Sequence, residues 1–156
     1  MLTLKRCTDD TIFIGEDIRL TVYDQLRYHV VLGVLMSDGA NLRHGQHLLR
    51  PATLPGGERF YLLTLMSHGD LWMDCPASGA EQSIQVRVRF DATAPEALPL
   101  CKRPVMVDIV APRSVDIYRE EVYWRMLREN GESLPALSFS AWLRRFMHPA
   151  PRHATA

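Results

Sequence analysis

Apolar and polar residues alternate with a period of two through most of this chain, and the alternating runs come in the same order twice. Ile18, Leu20 and Val22 set against Arg19 and Thr21 is the pattern of a strand with one face in a core and the other in water. The first set of runs covers residues 1–6, 11–15, 18–22 and 30–34 and a stretch that ends in Leu42, Arg43 and His44. The second covers residues 61–65, 71–73, 84–88, 105–109 and 115–119. Two copies are too few to stack as a solenoid, so the repeat predicts a mainly β fold in which each half completes the other, a pseudo-dimer on one chain.

The connections divide the chain further. Residues 51–58 hold Pro51, Pro55, Gly56 and Gly57, a linker able to reverse the chain between a first repeat of residues 1–50 and a second of 59–130. Between the last two central strands of the second repeat, residues 91–104 contain Pro95, Pro99 and Pro104, where the first repeat has only the tight connection of residues 24–28. This reads as an insertion that runs over the surface. Past Arg119 the period changes. Val122 and Met126, with Tyr123 and Leu127 beside them, recur at helical spacing; Glu120 and Glu121 open that helix, Arg125 and Arg128 lie near its end, and Gly131 stops it. A second helix begins near Ser138 or Ser140, presents Trp142, Leu143, Phe146 and Met147, and ends before Pro149. Residues 131–156 thus form a helical extension and a tail, and the tail from His148 is expected to be disordered.

Composition narrows the function classes. The formal net charge is zero and no segment is polybasic, so any nucleic-acid binding must come from a local basic surface with a modest salt-driven component. Cys7, Cys75 and Cys101 are widely spaced and odd in number, which suits reduced thiols better than a disulfide framework or a zinc site. No apolar run approaches the length of a membrane span, and a cytoplasmic protein is expected. His44 and His47 lack a third assigned ligand and read as a solvated pair. Nucleophile-elbow, P-loop and dinucleotide fingerprints are missing, so a non-catalytic protein without a cofactor is expected.

Two segments carry a specific likeness. Residues 105–126, Val-Met-Val-Asp-Ile-Val-Ala-Pro-Arg-Ser-Val-Asp-Ile-Tyr-Arg-Glu-Glu-Val-Tyr-Trp-Arg-Met, resemble the final strands and helix start of the carbon storage regulator family (CsrA/RsmA). The start of the chain, Met-Leu-Thr-Leu-Lys-Arg followed by Ile12, Phe13, Ile14, Gly15, Glu16, Asp17 and Ile18, is similar to the beginning of the same family. The resemblance implies two interdigitated β repeats, followed here by C-terminal helices. It also implies recognition of single-stranded GGA elements in mRNA leaders or small RNAs, with control of translation or transcript stability. Each RNA site in that family is shared, so the strand beginning at Met1 is expected to neighbour the strand ending at Arg119.

Carried over residue by residue, the resemblance gives unequal sites. The first strand of repeat one supplies Leu4, Lys5 and Arg6, and the end of repeat two supplies Ala111, Pro112, Val115, Ile117, Tyr118 and Arg119, with Tyr118 standing where histidine is usual. In the other composite site Leu65 replaces Arg6 and His44 replaces Arg119, while Gly45 and Gln46 replace the paired glutamates. Guanidinium groups can fork onto guanine O6 and N7 or onto phosphate; leucine cannot. The expectation is one working RNA site, with neither DNA nor a membrane as partner. The plainer alternative is that Arg6 and Arg119 form surface ion pairs worth only ~0–1 kcal/mol each, in a protein-interaction module that engages a protein partner through the C-terminal helices.

Overall fold

Ile18, Leu20 and Val22 are all buried in a strand, with Arg19 exposed on the opposite face, as their alternation dictates. The computed structural model of the chain describes residues 1–148 except 38, 67–68, 75–82, 92, 94 and 96, and says nothing of the side chains of Asp74 and Cys101. The expected tail therefore lies almost entirely outside the described residues.

The described residues form twelve strands and two α-helices. In the first half lie β1 (Leu2–Arg6), β2 (Thr11–Ile14), β3 (Ile18–Gln25), β4 (His29–Met36) and β5 (Asn41–His44). Two short strands follow, β6 (His47–Leu48) and β7 (Ala52–Thr53). The second half contains β8 (Arg59–Met66), β9 (Gly69–Asp74), β10 (Ile84–Phe90), β11 (Val105–Val110) and β12 (Ile117–Arg119), and then α1 (Glu120–Glu129) and α2 (Phe139–Met147).

Every strand pairs antiparallel, in two six-stranded sheets. The first runs β1-β11-β10-β9-β5-β6 and the second β12-β2-β3-β4-β8-β7. The centre of the first sheet comes from the second half of the chain, flanked by β1 and β5 from the first half. The centre of the second sheet comes from the first half, flanked by β8 and β12 from the second. Registers coincide as well. Arg6 lies opposite Val105 as Leu65 lies opposite Val30. Ile117 and Arg119 lie opposite Ile14 and Ile12, as Leu42 and His44 lie opposite Met73 and Leu71.

One expectation is corrected here. The strand from Met1 does not pair with the strand ending at Arg119: β1 bonds to β11, and β12 bonds to β2. Each therefore ends a different sheet, and the two edges meet across the sandwich through the Arg6–Glu121 ion pair (3.5 Å) and a shared core. That core is continuous between the sheets. Leu4, Val86, Val107 and Ile109 from one sheet pack with Ile12, Leu20, Leu32 and Leu65 from the other.

The outer faces of the two sheets differ. Outward residues at the centre of the first sheet include polar groups tied in pairs: Arg89 forks onto Asp108, which also accepts from the Thr3 hydroxyl, and Arg87 forks onto Asp70. On the second sheet the outward residues include Phe13, Thr21, Gly33, Leu35 and Phe60, and the helices lie over these. Where Gly33 leaves a notch, Leu143 fills it; a Cβ at Gly33 would lie 2.5 Å from Leu143 Cδ2. A bulge between Val22 and Asp24 aims Tyr23 at α2, where the Arg144 guanidinium sits 4.9 Å above its ring and donates to its carbonyl. The helix starts under Ser138, whose hydroxyl accepts the Ala141 N–H at 3.1 Å. Helix α1 ends before Gly131, whose φ of 73° is the left-handed turn that glycine adopts freely.

The insertion packs on the body rather than over a cleft. Its single 3-10 turn, Leu100–Lys102, lies by β3, and the Arg103 carbonyl accepts from Gln25 at 2.6 Å. No helix among the described residues is long and apolar enough to cross a membrane.

Because Leu143 is fully buried against a backbone that cannot move in to replace it, Leu143→Ala is expected to lose about 2–5 kcal/mol of stability. Urea unfolding followed by circular dichroism measures the loss.

Candidate nucleic-acid interface

The candidate residues fall at one end of the sandwich, where β1 and β12 are the outermost strands. Leu4 is buried and faces the core; Val115, Ile117 and Ala111 are half-buried and pack on the same cluster. These four shape the edge from within. Val115 lies before β12, in a turn closed by its own N–H to the Pro112 carbonyl at 3.0 Å. The Gly15 N–H donates to the Asp116 carbonyl at 2.7 Å, which extends the β2–β12 pairing into that turn. Tyr118 is half-buried, 6.2 Å from the Tyr123 ring of α1.

The three basic residues meet different fates. Arg119 is exposed, and among the described residues no carboxylate or ring engages its guanidinium. Lys5 is exposed and bonds to Asp91 at 3.2 Å. Hydrogen bonds from the Thr93 hydroxyl and amide, and then from Lys5, hold the Asp91 carboxyl down to about 2, so this acid is charged at neutral and mildly acidic pH. Arg6 is buried: its Nε donates to its neighbour's carbonyl at 2.7 Å, and Nη1 reaches Glu121 at 3.5 Å. A separation of 3.5 Å is long for a charged pair, so the Arg6 guanidinium is confined but weakly claimed. The sequence placed Arg6 at this edge, yet its inward parity shows only in the register, since Leu4 and Arg6 share the core face of β1.

Three features of the site escape the sequence reading. Glu121 is the clamp on Arg6. Arg113, in the turn that leads into β12, is exposed and adds a second exposed cation to the segment ending in Arg119; its place in the turn after β11 was the available signal. The third is the linker. At the opposite end, β6 pairs with β5 so that Arg43 faces Leu48 and His44 faces His47, and β7 covers Phe60 and Arg59 of β8. The edge groups of β5 are thereby occupied by the chain itself, whereas among the described residues no strand pairs with the outer side of β1 or β12. His44 and His47 are cross-strand neighbours, and among the described residues no three His, Cys, Asp or Glu gather as a metal cluster. Leu65 is a core residue.

A cleft of about 380 Å³ borders the β12 turn and is lined by Glu16, Asp17 and Asp116. Like charges there repel phosphate, so an anionic backbone crossing this end has its favourable route over Lys5, Arg113 and Arg119. The Cys7 thiol is pushed up, first by burial and then by Asp10, which keeps it protonated rather than nucleophilic. Open backbone donors and acceptors, flanked by exposed cations and a tyrosine, can hold an extended strand or splayed bases. Comparison with protein-family models, with curated proteins and with solved structures gives no match.

Amide hydrogen exchange measures the difference between the two ends. Outward amides of β1 and β12 are expected to exchange faster than those of Arg43 and His44, which β6 covers; equal protection at both ends contradicts the assignment.

Proposed function

We propose that the chain is a divergent, tandemly duplicated member of the carbon storage regulator family. In this reading it binds single-stranded GGA elements in mRNA leaders or small RNAs at the β1/β12 end and so regulates translation. The observation that carries the proposal is the inequality of the two ends. Arg119 stands exposed and unpaired at an open edge, while His44, its register equivalent, lies in a strand whose edge β6 has closed. Strand exchange between the halves and the coincident registers support the duplication.

The residues divide the work by position. Backbone groups of β1 and β12 hydrogen-bond base edges, and the Arg119 guanidinium forks onto a guanine. Lys5 and Arg113 meet phosphates and set the register without reading sequence. Arg6 holds the two sheet edges together through Glu121, and an RNA phosphate that displaces the long Glu121 contact gains the guanidinium in its place. Ala111, Pro112, Val115 and Ile117 fix the turn and the edge on which this happens.

Arg119→Ala is expected to weaken binding of a GGA-bearing hairpin by about 1–3 kcal/mol. Arg6→Ala is expected to weaken it as well, with thermal unfolding measured alongside because Arg6 is buried. His44→Ala leaves binding unchanged. Leu65 is unsuitable as a control because its loss opens the core. Isothermal titration should reach saturation at one RNA per chain. Two equivalent RNAs, or equal losses from His44→Ala and Arg119→Ala, overturn the one-site reading. No binding at all leaves the open edges to a protein strand.

A further inference from the structure

The outer face of the second sheet carries a second concavity, independent of the RNA reading. It lies between that face, α1, α2 and residues 132–137, and encloses about 670 Å³. This volume is in the range of small-molecule sites. Its walls are mainly hydrocarbon and aromatic, from Phe13, Tyr123, Trp124, Leu127, Leu137 and Trp142.

Most of those rings are already committed. Phe13 has Tyr123 at 4.5 Å and the Arg19 guanidinium 5.1 Å from its centroid. Trp142 is stacked between Phe139 and Phe146, at 5.7 Å and 5.4 Å. Trp124 differs. It is half-buried on the cavity wall, and among the described residues no ring, cation or hydrogen-bonding group engages its indole. An aromatic face left open in a concave site is where a cation gains from the ring quadrupole.

The charge in the cavity has one sign in excess. Glu58, Glu120 and Glu132 line it against Arg19 alone, and Arg19 is held on Phe13. Glu120 is the buried member. Its Oε2 accepts the Phe139 N–H at 3.0 Å and so caps α2, and among the described residues no hydrogen bond reaches Oε1. Burial, as the largest effect, raises the pKa of this carboxyl, and the charges of Glu121 and Asp10 add to it; the Phe139 N–H and then Arg19 act in the other direction. A carboxylate ligand would add a fourth negative group, and a neutral one would leave the excess of negative charge in place and bring no donor cation to Glu120 Oε1.

We propose that this cleft binds a small organic cation, an alkyl- or arylalkylammonium, whose N–H donates to Glu120 Oε1 and whose hydrocarbon lies on Trp124, Leu127 and Leu137. The cation adds counter-charge in a lining where three glutamates face the single guanidinium of Arg19. Its affinity falls as pH drops through the titration of Glu120, because a protonated carboxyl no longer attracts an ammonium.

The test is isothermal titration of the full chain with phenethylamine, its neutral isostere phenethyl alcohol, and hydrocinnamate. The amine is expected to bind at least about tenfold more tightly than either of the others, the scale of one charge-assisted hydrogen bond. Glu120→Gln keeps an acceptor for the Phe139 N–H and should abolish that preference. Trp124→Ala removes no cap, so it serves even where the glutamine variant does not fold. It should weaken the amine about two- to tenfold. Equal affinities for amine and alcohol, no amine binding at low-millimolar concentration, a preference that survives Glu120→Gln in a folded variant, or an amine affinity unchanged by Trp124→Ala would each overturn the proposal.

Discussion

Strand exchange between the halves is the constraint on which the rest depends. Three central strands of each sheet come from one half of the chain, and the strands that flank them on either side come from the other. Neither half alone has two partners for each central strand, nor an apolar face to close on, so the core between the sheets exists only when both are present. Edge strands left without neighbours in an isolated half would be open templates for aggregation. Exchange resolves this everywhere except at the outermost strands, and that is where the candidate interface lies.

The chain then treats its two ends differently although the registers match. The end of the first repeat and the start of the linker add β6 and β7 to one end, and the helices follow β12 at the other. Glu120 and Glu121, adjacent at the start of α1, face separate tasks. Glu120 turns inward to cap α2, and Glu121 turns toward Arg6 at the sheet edge. One helix start thus ties the candidate interface to the layer that covers the second sheet. At the linker end the matching residues are Gly45 and Gln46, which make a tight turn.

Much of this architecture was legible in the sequence because a period of two is hard to satisfy by anything except a half-buried strand. Ile18, Leu20 and Val22 sit where the alternation put them, and Gly131 and Ser138 mark helix boundaries by their own backbone chemistry. What stayed hidden depends on long-range pairing. Nothing in the sequence of residues 47–53 separates a linker from two edge strands, because only β5 and β8 make them strands. Arg6 read as a surface cation for the same reason. Its inward parity follows from its place opposite Val105, and a charged residue on a core face breaks the pattern from which burial was inferred. The partner of the strand ending at Arg119 was misread because sharing a site does not require sharing a sheet.

If the chain binds RNA as proposed, the β1/β12 end is the surface that meets it. The most direct test is chemical-shift mapping of the isotopically labelled chain on addition of a single-stranded GGA hairpin. The prediction is that perturbations concentrate in β1, in the turn of residues 111–116 and in β12, and leave β5 and β6 unmoved. Perturbations at both ends of the sandwich, or only on the helices and the outer sheet faces, would contradict it.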